Sequence, residues 1–213
     1  MEHKMELYII RHGETEWNRE KRLQGRSDIE LNDYGVELAK ITSEALKNVK
    51  FDKIYSSPLK RAYRTAEIIK GNRQIEIQTD DRLREMCFGE YEGKVTDTLP
   101  EEFWKFFDDP ANYVPTTGGE SYEDVVRRAS SFIYEVVVPA SKEIDRMLIV
   151  AHGALNKALM ITLNHQGIED YWSGVFQKNC CVNIYNINGT DFELKQNGKI
   201  YYEDKGGKDY KRA

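Results

Sequence analysis

The chain has 213 residues, enough for one α/β domain with a sizeable core, and no linker rich in Pro, Gly or Ser divides it. Its 31 basic and 36 acidic residues leave a net charge of −5, which does not favour nucleic acid or an anionic membrane, so an anionic ligand needs a local cluster of cations. No run approaches the roughly 20 apolar residues of a membrane span, and the charged start from Met1 to Glu6 does not read as a signal peptide, so a soluble cytoplasmic protein is expected.

In chain order, the apolar run Leu7 to Ile10 reads as a buried strand, and Arg11-His12-Gly13-Glu14-Thr15 follows at its carboxyl end. That is where open α/β sheets bind ligands. Asn18 and Gln24-Gly25 come next as polar loop residues. A helix is expected over Asn32 to Val49, with Asn32 as its cap and Val36, Ala39 and Leu46 on one face. The strand-like Phe51 to Tyr55, with its core at Lys53 to Tyr55, leads into a second helix over Pro58 to Lys70. There Ser57 suits the cap and Pro58 the first turn, which places Arg61 near the helix start. Ile75 to Ile77 reads as a third strand. Between Gly93 and Gly119 the texture changes: Phe103, Trp104, Phe106 and Phe107 crowd a short helix-like piece before Asp108-Asp109-Pro110, and Pro115 to Gly119 is loop material. These rings are either a satellite core under a lid or the lining of a ligand entrance.

A third helix is expected over Ser121 to Ser141, opened by a Ser-x-x-Asp approximation to a capping box, with Val125, Ala129, Phe132, Val136 and Ala140 as its core stripe. Met147 to Ala151 is a fourth strand and delivers His152-Gly153 at its end, and Val182 to Ile187 is a fifth. Strands alternating with helices imply a mostly parallel central sheet covered on both faces, a three-layer α/β/α sandwich. Residues 1–204 are expected to form a single domain with a lid-like segment at 93–119, and the polar stretch 205–213 to be a frayed tail. Self-association through an edge strand after Cys181, giving a homodimer, is left open. Three cysteines without CxxC spacing argue against a disulfide framework, and four histidines without HxH or HxxxH spacing disfavour a metal site.

The stretches Leu7 to Asn18, Leu23 to Gly35, Ser56 to Ile69, Leu83 to Gly93, Gly118 to Ser121 and Ile149 to Gly153, in this order, resemble the histidine phosphatase superfamily. Within it the chain is similar to the phosphoglycerate mutase-like branch, and to its broad-specificity phosphatase-type members. The resemblance implies a small phosphorylated metabolite as substrate, with no cofactor and no metal. It gives His12 the role of phosphoryl acceptor, His152 that of stabilising the transferring group, and Glu85 that of acid and base.

The residues themselves suit that chemistry. Arg11 and Arg61 carry planar, permanently charged forks for phosphate oxygens, and a protonated His152 would add a donor. Asn18, Gln24, Gly25 and Gly153 are the remaining candidates for substrate contact; Gly153 permits close backbone approach and Asn18 is a neutral donor. His12 can serve as nucleophile if one ring nitrogen keeps its proton and donates it to a backbone carbonyl. Glu14 is expected to hydrogen-bond structurally and Glu90 to be a loop charge. The resemblance also favours hydrolysis over mutase chemistry: where the cofactor-dependent mutases carry an insertion with an adjacent pair of arginines, residues 93–119 of this chain hold only Lys94 and Lys105 as cations. Phe103, Trp104, Phe107 and Tyr113 suggest a less charged alcohol or a sugar ring. A 2,3-bisphosphoglycerate-dependent mutase, and a non-catalytic phosphate-binding or interaction module, are the alternatives.

Overall fold

The structure, a computed structural model, describes residues 4–204, so the expected tail at 205–213 lies outside the described residues. Six strands form one sheet in the order β3-β2-β4-β1-β5-β6. These are β1 (Met5–Arg11), β2 (Lys53–Ser56), β3 (Ile77–Thr79), β4 (Arg146–Ala151), β5 (Val182–Asn188) and β6 (Asp191–Lys199). The first four are parallel, whereas β5 runs antiparallel to β1 and β6 antiparallel to β5. This is the expected three-layer, mostly parallel architecture. The strand expected at Ile75 to Ile77 lies two residues later, and β6 was not anticipated.

Burial on both faces explains the apolar runs. Along β1, Leu7 and Ile9 join a core with Val125, Ala129, Leu155 and Leu159, while Tyr8 and Ile10 join a second core with Leu46, Ala62, Ala66 and Ile69. Successive side chains of a strand point to opposite faces, so a strand covered on both sides has no polar register. Each such side chain contributes about 1.5–3 kcal/mol by leaving water.

Helix α1 (Glu16–Arg19) is a single turn closed by a capping box between Thr15 and Asn18. Helix α2 (Asp33–Ala45) is capped by Asn32, whose side chain accepts from Gly35 N at 2.7 Å. Helix α3 (Lys60–Lys70) starts two residues later than expected, with Leu59 at the cap position. Ser57 Oγ still accepts from Leu59 N, at 3.3 Å, and meets His152 Nε2 at 2.8 Å, while Asp28 receives the Lys60 amide at 2.7 Å. The single turn α4 (Lys105–Asp108) lies among short 3-10 turns between Thr96 and Asn112. Helix α5 (Tyr122–Phe132) has the capping box expected of Ser121 and Asp124, and then runs through a π turn, Ile133–Val137, into the short α6 (Val138–Ala140). The wider turn shifts the buried stripe by one residue, so Ile133 and Val137 are buried in place of the expected Val136. Helix α7 (Gly153–Leu163) follows β4 and is buried along most of its length.

Two glycines let α2 press against the loop after β1. A Cβ on Gly35 would lie 2.0 Å from the carbonyl oxygen of Glu14, and one on Gly13 would lie 2.5 Å from that of Gly35. Both obstacles are backbone, so neither can rotate aside. Gly35→Ala is therefore expected to cost about 3 kcal/mol in urea unfolding, against about 1 kcal/mol for Gly189→Ala, where a methyl group meets only strain from φ +60.

Candidate active site

Strand register builds the site. Arg11 stands opposite Ala151 in the β1–β4 pair, and the ladder closes with His12 N donating to Ala151 O at 2.9 Å. The next residue on each strand is a histidine, and the ring centroids of His12 and His152 are 5.2 Å apart. Two strands with unrelated sequences thus place their imidazoles side by side because parallel neighbours end together.

His12 is 3% exposed, and its Nδ1 lies 2.6 Å from Gly13 O. A carbonyl only accepts, so Nδ1 carries the proton and Nε2 keeps a lone pair. Burial, and then the cations of Arg61 and Arg11, hold its pKa well below the usual histidine range. His152 is fully buried and is held low by burial first, then Arg61 and His12. These effects disfavour the protonated form that would have added a donor. When its Nε2 accepts the hydroxyl proton of Ser57 at 2.8 Å, the neutral ring carries its own proton on Nδ1, a buried atom with no partner. His152 is not among the side chains that line the cleft, but its ring centroid lies 5.2 Å from that of His12, which does.

Arg11 donates from Nη1 to Gln177 O at 2.5 Å. Arg61 lies in the first turn of α3, fully buried, and donates from Nη1 to Ser27 O and from Nη2 to Gly25 O, both at 2.7 Å. Burial lowers its pKa to about 10, against the pull of Glu85 and Asp28, so it stays a cation at neutral pH. In both arginines Nε is buried without a partner. Buried N–H groups are almost always bonded, so two orphaned guanidinium donors in one cleft mark an anion site.

Glu85 lies across the cleft, 9% exposed. Its Oε1 accepts from Met86 N and Leu155 N at 2.9 Å each, and its Oε2 from Ala154 N at 3.1 Å. Two of those amides belong to the first turn of α7, whose N–H groups have no partner within the helix. Gly153 sits between the two sides: a Cβ there would lie 3.6 Å from Arg11 Nε and 3.8 Å from Glu85 Oε2. The methyl group would project between cation and carboxyl.

The cleft encloses about 630 Å³ including its open mouth. Arg11, His12, Asn18, Gln24, Gly25, Arg61, Glu85 and Gly153 all line it. Gln24 is 8% exposed with Oε1 unpartnered, and Gly25, at φ +52, would put a Cβ 2.2 Å from Glu92 Oε1. Glu14 accepts from Asn32 Nδ2 at 2.9 Å and Glu90 from Thr116 Oγ1 at 2.6 Å, both away from the cleft wall. Among the described residues no group of three or more His, Cys, Asp or Glu is placed to hold a metal ion, and no helix is long and apolar enough to cross a membrane.

Several neighbours were not anticipated. Arg22 lines the cleft as a third cation, bonded to Glu20 at 2.5 Å and to Gly93 O at 2.9 Å. The aromatic wall consists of Phe88, Phe106, Phe107, Trp172 and Phe176. Of the four rings expected to face the substrate only Phe107 does; Phe103, Trp104 and Tyr113 are buried in the packing behind. The rings form no satellite: Phe103, Phe106 and Tyr113 belong to the main core with Val125 and Leu155, and Phe106 and Phe107 also line the cleft. Glu92 is a further organiser, accepting from Arg26 N, Ser27 N and Ser27 Oγ at 2.8–2.9 Å and from Phe88 N at 3.2 Å. It fastens the Gln24-Gly25 loop to the segment after Glu85.

Comparison with known proteins agrees with this arrangement. The chain is similar in structure to Bacillus stearothermophilus YhfR, with a TM-score of 0.86 and 36% identity over 92% of this chain and 98% of that one. It is 32% identical to phosphoserine phosphatase 1 of Hydrogenobacter thermophilus over 79% of this chain and 81% of the relative. It is also 35% identical to phosphoglycerate mutase-like protein 4 of Arabidopsis thaliana, over 72% and 69% respectively. The family model for the histidine phosphatase superfamily (branch 1) matches residues 7–199. With nearly the whole described chain matched, the protein belongs to the histidine phosphatase superfamily, branch 1.

Proposed function

We propose that the protein is a metal-independent phosphomonoester hydrolase that acts on a small phosphorylated metabolite through a phosphohistidine at His12. The observation that carries the reading is the Nδ1 bond of His12 to Gly13 O, which leaves Nε2 unprotonated beside the two unpartnered arginine Nε groups. A phosphomonoester dianion repels nucleophiles until its oxygens are matched by positive charge. Arg11 and Arg61 supply that charge from a water-poor site, where it acts strongly and needs no reorganisation. Asn18, Gln24 and the Gly25 and Gly153 backbone complete the phosphate end of the cleft.

The reaction is written in two displacements. His12 Nε2 attacks phosphorus, the ester P–O bond breaks, and Glu85 protonates the departing alkoxide oxygen. Water then attacks the phosphohistidine, Glu85 takes its proton, the P–N bond breaks, and His12 is regenerated with inorganic phosphate as product. His152 donates Nδ1–H to the transferring group as a neutral imidazole. Residues 93–119 are read as a cover for the cleft within one domain rather than as a separate unit.

The phosphatase name of one relative and the lack of any cleft-lining cation from residues 93–119 favour hydrolysis. One observation supports the mutase alternative: Arg22 stands on the cleft wall, where a substrate carboxylate could be held. Incubation with 3-phosphoglycerate separates the two readings. Hydrolysis gives inorganic phosphate in step with loss of ester, whereas a mutase gives 2-phosphoglycerate with little phosphate.

His12→Ala is expected to abolish phosphate release on every phosphomonoester tested, while EDTA leaves wild-type turnover unchanged; phosphate release by the variant at the wild-type rate defeats the reading. A pH signature follows as well. Both buried imidazoles have folded pKa values below the unfolded value of about 6.5, so between the two the unfolded chain binds more protons and stability falls as pH drops below about 6.5. Urea titrations of wild type and His12→Ala should differ in slope across that window by up to about 1.4 kcal/mol per pH unit, the share of one imidazole.

A further inference from the structure

Glu85 is carried by a strap, residues 82–88, with no strand or helix beyond the 3-10 turn Asp81–Leu83 that opens it. Its carbonyls must find donors outside the strap. Arg128, on α5, supplies them from one guanidinium. Nη1 donates to the carbonyls of Arg82 at 2.7 Å and Arg84 at 2.6 Å, and Nη2 to that of Glu85 at 3.1 Å. The same group meets both carboxylate oxygens of Glu120, from Nε and Nη2, at 3.1 Å each.

Glu120 extends the clamp. Its Oε2 accepts from Cys87 N at 2.9 Å and its Oε1 from Arg26 Nη2 at 2.8 Å. The Arg128 and Glu120 side chains are only 14% and 16% exposed, so solvent competes weakly for these bonds. Neither residue lines the cleft. The carboxyl of Glu85 is thus held from two sides: α7 amides fix its oxygens, and Arg128 fixes the main chain from which it projects.

We infer that Arg128, oriented by Glu120, is the positioning residue for Glu85: it sets where the carboxyl stands relative to the leaving oxygen and touches no substrate. The inference rests on the proposed acid role of Glu85. Lysine at this place keeps the charge but lacks the planar fork that serves three carbonyls and a carboxylate together. A carboxyl displaced by about 1 Å still fills the cleft but loses on the order of 100-fold in proton transfer.

The test compares kcat/KM on glycerol 3-phosphate, whose alkoxide needs a proton to leave, with that on p-nitrophenyl phosphate, whose phenolate departs without one. Arg128→Gln is expected to lower the first by about 100-fold and the second by less than about threefold, with Arg128→Lys intermediate. Glu85→Gln should show the same selectivity, and His12→Ala should lose both activities. Equal loss on the two esters, or loss on neither, overturns the role of Arg128 while a selective Glu85→Gln leaves the acid assignment standing. A Glu85→Gln without selectivity overturns the acid assignment itself, and the clamp with it. If Arg128→Gln fails to fold, Arg128→Lys and Glu120→Gln carry the same comparison with the same deciding outcomes.

Discussion

Parallel pairing of β1 with β4 ends at Arg11 opposite Ala151, and this register is the constraint on which the cleft depends. It sets the two imidazoles 5.2 Å apart and turns both chains out of the sheet at the same level. From β1 the chain enters the tight loop that α2 presses against through Gly13 and Gly35. From β4 it enters α7 directly, so the first amides of that helix face the cleft and hold Glu85. A one-residue slip would carry His152 to the other face of the sheet and separate the pair.

The second constraint is electrostatic. Burying Arg61 completely is unfavourable unless carbonyls and carboxylates offset the lost hydration. The chain supplies the carbonyls of Gly25 and Ser27, with the charges of Glu85 and Asp28 close enough to raise its proton affinity. The compensation is incomplete at Nε of Arg61 and of Arg11, where an anion would complete it. Burial first, and then the same cations, keep His12 neutral, so the device that would attract a phosphate also prepares the nitrogen that would attack it. Gly13 O makes that nitrogen the right one by tying up Nδ1.

Much of this was legible in the sequence wherever one residue type does one job. Fully buried strands announce themselves as apolar runs, and Arg11, His12, Arg61 and Glu85 stood out because each lies in a stretch with a recognisable family pattern. Edge structure was harder to read: β6 carries Asp191, Glu193, Lys195 and Lys199, charges suited to an exposed edge, and it hides the apolar alternation of Phe192 and Leu194. The β5–β6 hairpin turns on the two residues Gly189-Thr190 between the paired Asn188 and Asp191, a short glycine-led turn signal. Ser57 does accept a backbone amide at the start of this helix, that of Leu59, but the Lys60 amide goes to Asp28, 32 positions away, a partner that local sequence cannot reveal. Glu92 and Glu90 look alike in sequence, and only tertiary contacts make one an organiser and the other a loop charge. Arg22 carries no local signal that sets it apart from other surface arginines, and only the fold brings it from the loop before Gln24 to the cleft wall.

The most direct measurement is rapid chemical quench of the enzyme with a phosphoryl-labelled monoester, followed by peptide mapping. A covalent route through His12 predicts a burst approaching one label per chain, stable to base, labile to acid and confined to the peptide containing His12. Steady turnover with no bound label at any quench time, or label on a different residue, would contradict it.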